Sequence, residues 1–119
     1  MNVTNPDLVI VRGINDKWFK ENLSEMWIGF GGAPAALPKD DSYFVGLYIN
    51  APVSAIKYIG VVSQIDRYND VADFWLKALI ELPQLVKPGH AIRKHENWNI
   101  NQFGLNQSQI TQLRQMITF

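Results

Sequence analysis

Cysteine is absent from the 119 residues, which rules out a disulfide framework, a thiolate metal site and a cysteine nucleophile. A long apolar run is missing as well. Spanning a bilayer takes about 20 consecutive apolar residues, and the longest apolar stretches here are broken by Lys57, Lys77 and Glu81. The opening MNVTNPDLV lacks the basic-then-apolar layout of a signal peptide. These absences point to a cytoplasmic location and away from membranes. Net charge is lacking too, because eleven basic and eleven acidic side chains cancel. Dedicated nucleic-acid binders are usually more basic than this.

What the chain does contain is material for one core. Apolar residues make up 47% of it, with four tryptophans and six phenylalanines, a composition that disordered chains do not have. With no repeat, no low-complexity tract and no linker, a single domain over 1–119 is expected. Its charge is unevenly spread. KPGHAIRKH (87–95) carries Lys87, Arg93 and Lys94 with His90 and His95, and the acids gather in KDDS and DRYNDVAD.

LVIV (8–11) has the β-branched composition of a strand. In INDKWFKENL, Asn15 suits an N-cap and Asp16 the positive end of a helix, with Trp18, Phe19 and Leu23 on one face. MWIGF reads as a strand, and the glycines and prolines of GGAPAALPKDDS make a loop. YFVGLYIN and AIKYIGVVSQI read as strands joined by APVS, with an irregularity near Gly60. DVADFWLKALIELP fits a helical stripe and strand alternation equally well by periodicity. HAIRKHENW reads as a further strand. NQSQITQLRQMI closes the chain as a helix capped by Asn106 or Ser108, with Ile110, Leu113 and Ile117 inward. Strand, helix, several strands and helix, without regular alternation, predict an α+β domain around a mixed or barrel-like sheet.

Several chemistries lack their residues. GFGGAP is not followed by the lysine and hydroxyl residue of a P-loop, so a turn or a rim is the better reading. His90 and His95 would point to opposite faces of a strand, which disfavours a metal site. No Asp-x-Lys, Glu-x-Lys or Gln-x-Lys triplet of the common metal-dependent nuclease core occurs, and there is no serine elbow. Asp66, Asp70 and Asp73 read as surface or capping acids.

LVIVRGINDKWFKENLSEMWIGF, YFVGLYINAPVSA and IKYIGVVSQIDRY follow one another in an order that resembles the PUA-like superfamily, and within it the YTH and EVE domains. In those domains a first strand leads into a short helix, then a strand with a tryptophan near its start, then a hairpin ending in a valine-rich strand. The resemblance implies a mixed β-sheet or pseudo-barrel flanked by short helices. It also implies DNA or RNA as partner, with an extruded, possibly modified, base held in an aromatic pocket. A base stacks on an aromatic face, and lysine and arginine neutralise the flanking phosphates.

Carried over by position, Trp27 matches the first cage tryptophan, Arg12 a basic residue at the end of the first strand, and Asn15 a reader of the base edge. Trp98 is the candidate second wall, ahead of Trp75. Arg12, Lys87, Arg93 and Lys94 are the candidate phosphate-binding residues. Each has a plainer reading: Trp27 as a buried strand residue, the basic strip as an edge strand guarded by lysines, and Trp18 and Trp75 as core. The expected function is binding without catalysis and without cofactor or metal. One alternative is a protein-interaction module whose exposed aromatics meet a partner or effector. The other is a hydrolase of ASCH type using Lys20 with Glu25, although KENLSEMWIGF lacks the Gly-x-Lys-x-x-Glu-x-Arg signature of that group.

Overall fold

A computed structural model of the chain describes residues 1–117, without the side chains of Leu23 and Pro34. The expected helix-face role of Leu23 lies outside the described residues. The elements are β1 (Leu8–Ile14), α1 (Asp16–Asn22), β2 (Trp27–Gly31), β3 (Phe44–Ile49), β4 (Ala55–Tyr68), β5 (Val71–Val86), β6 (His95–Asn99) and α2 (Gln107–Gln115). They form an α+β fold with one six-stranded mixed sheet in the order β2-β5-β4-β3-β1-β6. Every neighbouring pair is antiparallel except β1 and β3. None of the helices described is long and apolar enough to cross a membrane.

Alternation along β1 sends Leu8, Ile10 and Ile14 into one core and Val9 and Val11 into the other, and all five are buried. A strand buried on both faces needs cover on both. Phe19 of α1 with Ile28 and Phe30 of β2 covers one face. Ile92, Ile100, Phe103 and the inward residues of α2, Ile110 and Leu113, cover the other. The sheet also curls. The Phe30 ring of β2 lies 6.2 Å from the His95 ring of β6, so the two outermost strands of the order touch.

Local chemistry sets the ends of these elements. The Asn15 Oδ1 accepts from the backbone N–H of Lys17 and Trp18 and starts α1. Asn106, not Ser108, caps α2, and Gln109 answers it with a reciprocal bond. Ile117 packs half-buried against the same core. Asn69 adopts a left-handed φ of 52° between β4 and β5, a conformation asparagine tolerates. The ladder shifts register between Val61 and Val62 and again before Gln64, while Gly60 itself pairs regularly with Leu79.

Residues 71–86 are strand, because Ala72, Phe74 and Leu76 are buried while the residues between them face outward. The helical stripe would have buried Trp75, which is instead 39% exposed, so the core role expected of it does not hold. The strand expected over residues 90–98 begins only at His95, and residues 88–94 cross β1 as irregular chain. That crossing depends on Gly13, where a Cβ would overlap the carbonyl oxygen of Ile92. Gly13→Ala should therefore cost about 2 kcal/mol or more, since backbone cannot rotate out of the way. Urea unfolding would show it as a lower midpoint at unchanged slope.

Candidate functional site

The end of β1, the start of α1 and the start of β2 meet around an open cleft of about 400 Å³, lined by Arg12, Gly13, Asn15, Trp18, Trp27 and Gly29. Asn15 and Trp27, expected at the base, are brought together here with Arg12, which was expected on a phosphate. Trp27 is half-buried. Its ring folds over Gly29, where a Cβ would lie 2.8 Å from Trp27 Cζ3. Its Nε1 donates to Glu25 Oε2 at 3.0 Å, and the Trp75 ring packs beside it at 6.2 Å. The tryptophan is thus fixed from two sides with one side open to the cleft.

The other aromatic wall is Trp18. It was expected in the core, yet it is half-buried and lines the cleft, while its neighbour Phe19 takes the inward direction. Trp98, the sequence candidate for this wall, stands elsewhere. It pairs with Val9 on β1, and partners across a ladder share a face, so its ring turns to the second core and packs on Phe103 at 5.5 Å.

The polar groups of the cleft are of one kind. Asn15 spends its oxygen on the helix cap, which leaves its amide N–H₂. Arg12 can only donate. Its guanidinium lies 5.7 Å over the Phe30 ring, and it has neither ion pair nor hydrogen bond with any described residue. Burial lowers its pKa from the ordinary value. Arginine stays charged regardless, so an uncompensated cation sits partly out of water at the cleft. Beside it in the ladder, the Nδ1 of His95 is buried without a partner.

Lys87, Arg93 and Lys94 are exposed and form no ion pair with any described residue. The ladders place Arg93 and Lys94 beside Arg12, and Lys87 at the same end of the sheet but three strands away. Val86, just before Lys87, pairs with Ile56 at the start of β4, and His95, just after Lys94, pairs with Arg12. Asp66, Asp70 and Asp73 lie at the opposite end of the β4–β5 ladder. There Asp66 accepts from Trp75 Nε1 and Asp73 from the Tyr68 hydroxyl. The glycine loop leaves β2 at this acidic end, since Gly31 pairs with Val71, and Arg67 pins it through Pro38, Asp40 and Asp41.

The pair required for the hydrolase reading does not form. Lys20 binds Asp16 at 3.1 Å on the exposed side of α1, and Glu25 is engaged by Trp27. His90 Nε2 meets Glu96 Oε2 at 2.6 Å, fastening the 88–94 segment to β6. Among the described residues no three His, Asp or Glu side chains gather as a metal site would need. No protein-family model, curated protein or solved structure matches this chain.

Two outcomes follow from these electrostatics. Removing an unpaired, partly buried charge should stabilise the fold, so Arg12→Met is expected to raise the unfolding free energy by about 1 kcal/mol. A lower urea midpoint would mean that stacking on Phe30 outweighs desolvation. At Glu96, burial pushes the carboxyl up, but hydrogen bonds from Trp98 and His90 and the charge of His90 together hold it below its usual value. A depressed carboxylate stabilises the fold above its unfolded value of about 4.3, and this is lost as pH falls through the folded value. Glu96→Gln should therefore be less stable than the parent at neutral pH and equal to it well below about pH 4, in urea titrations at both.

Proposed function

We propose that the cleft binds one flat, acceptor-bearing ring, a nucleobase turned out of a DNA or RNA strand, between Trp18 and Trp27. Arg12 and Asn15 donate to its edge, and the basic residues at the same end of the sheet meet the strand. The protein acts as a reader, by binding without cleavage. The observation that carries this reading is Arg12: a partly desolvated cation stacked on Phe30 without an ion pair or hydrogen bond to any described residue, set beside two half-buried tryptophans. Such an arrangement is costly unless a ligand completes it. The cleft volume of about 400 Å³ falls within the range of small-molecule sites, roughly 300–1,000 Å³. The segment order resembling YTH and EVE domains of the PUA-like superfamily supports the same reading, as does the match of Trp27 and Asn15 to positions that handle a base there and of Arg12 to a basic residue at the end of the first strand. With two donors as its polar side chains, the cleft favours a base edge of carbonyl oxygens and ring nitrogens over one of amino groups.

A second reading has its own observation. Trp75 and Tyr68 are 39% and 53% exposed on the outer face of the β4–β5 hairpin, among Asp66 and Asp73. Such a patch suits a protein partner. Salt separates the two readings, because strand binding must weaken steeply with ionic strength and an aromatic interface need not.

Fluorescence anisotropy against short single- and double-stranded DNA and RNA, with and without methylated bases, tests the proposal. Trp27→Ala should lose about 1–3 kcal/mol of binding, the worth of one stacked base, with its circular dichroism unchanged. Trp98→Ala, on the other face, should bind as the parent does. Equal losses in both variants, or no binding to any oligonucleotide, would refute the base-site reading.

A further inference from the structure

Part of β5 has an open edge. β2 pairs with β5 only from Val71 to Trp75, and the next bond on that side runs from the Leu76 N–H to the Met26 carbonyl at 2.7 Å. Met26 itself has a left-handed φ of 55°, which ends the extended path of β2. From Lys77 onward, no described strand lies against β5 on the side away from β4. Residues 77–81, KALIE, nevertheless stay in the ladder with β4, from Ala78 opposite Val61 to Glu81 opposite Tyr58. An unpaired row of amide and carbonyl groups is a template for another strand.

The two cores reveal which groups point out of this edge. Along a strand, the side-chain face and the direction of the backbone groups alternate together. Leu76 faces the core that holds Phe19 and sends its N–H away from β4. The register shift between Val61 and Val62 adds one residue to β5 and reverses the phase, so that Leu79 faces that core and Ala78 the other. Leu79 and Glu81 therefore present their N–H and C=O to the open side, while Ala78 and Ile80 spend theirs on β4.

We infer that this edge pairs with the same edge of a second copy of the chain, antiparallel and two-fold symmetric about Leu79. The inference does not rest on the base-site reading. KALIE complements itself when read backwards. Lys77 falls opposite the partner's Glu81 at both ends of the paired stretch, and opposite charges there are favourable. Lys77 forms no ion pair with a described residue, and the exposed Glu81 meets Lys57 only at 3.7 Å. On the α2 side, the small Ala78 meets the partner's exposed Ile80. Leu79 meets its own counterpart and exchanges both backbone bonds with it. Lysine and proline commonly guard an edge, yet Lys77 repels only a strand that brings a like charge, and Pro83 lies outside the regular stretch. Between Tyr58–Glu81 and Ile56–Val86, β4 advances two residues and β5 five, so β5 bulges beyond Glu81. In the two-fold pair the partner's Pro83 would fall opposite Trp75, whose edge Trp27 already holds. The strand leaves the ladder where it has to.

Sedimentation equilibrium of the full chain, up to millimolar concentration, tests the pairing. Lys77→Glu and Glu81→Lys change exposed side chains and should fold as the parent does. Each sets like charges against each other twice, so each variant alone should dimerise roughly tenfold more weakly. An equimolar mixture of the two should recover the parental association, because both facing pairs of the mixed dimer are then of opposite charge. The double variant should recover it too. Amide exchange reads the edge directly: the Leu79 N–H should exchange rapidly in dilute solution and become protected as the dimer forms, whereas Ala78 and Ile80 stay protected throughout.

A chain that stays monomeric at millimolar concentration would overturn the inference and leave the base-site reading untouched. Self-association with Leu79 still exchanging rapidly would overturn it as well, because another surface would then be joined. So would a mixture that associates no better than either variant alone. Protection of Leu79 by an extended peptide, in a chain that does not self-associate, would replace the second copy by a peptide strand.

Discussion

The double burial of β1 is the constraint on which the remaining structure depends. With β3 on one edge and β6 on the other, the backbone of this strand is committed along both sides, and its side chains can only alternate between two cores. Arg12 is in phase with Leu8, Ile10 and Ile14, so strand geometry, and not local preference, turns a guanidinium toward the curled interior of the sheet. It comes to rest on Phe30 because β2 has curled back to meet it. The same strand then delivers Gly13 and Asn15 within the next three positions. A charged group, a bare stretch of backbone and a helix cap are therefore placed together by the path of a single strand.

Zero net charge hides a polarised molecule. Arg12, Lys87, Arg93 and Lys94 lie at one end of the sheet, Asp66, Asp70 and Asp73 at the other, and the charges of α1 neutralise one another through Lys17–Glu21 and Lys20–Asp16. The domain measures 38 × 35 × 26 Å, several times the screening length of about 8 Å at physiological salt. The overall sum therefore says little about any one region, and the separation is partial: Glu81 and Glu96 sit at the basic end, Arg67 at the acidic end, and Asp73 stands across the ladder from Gly29 of the cleft.

Much of the fold was legible in the sequence where one pattern dominated. The β-branched run of β1, the asparagine caps and the amphipathic last helix all stand where local chemistry puts them. Residues 71–86 were not decidable from periodicity, since Phe74, Ala78 and Leu82 satisfy both periods, and it was pairing with the long β4 that selected the strand. Of the residues that line the cleft, Arg12, Asn15 and Trp27 were named through the resemblance, by position, and not from periodicity. Trp18 was missed because its apolar neighbours suggested burial. The available signal was its position three residues after a capping asparagine, which holds it at the mouth of the helix while Phe19, a further 100° round the helix, faces the core. Trp98 misled because polar neighbours announced exposure without showing which face of the sheet it occupied.

The crossing at Gly13 has a consequence for how this sequence can change. What lies over Gly13 is the main-chain carbonyl of Ile92, which any residue at that position would carry, so glycine is required at 13 whatever side chain stands at 92. Only a new backbone path for residues 88–94 would release it. Substitutions within that segment should therefore leave the demand for glycine untouched, while an insertion or deletion there would lift it. In this part of the chain it is length, more than composition, that descent has to hold constant.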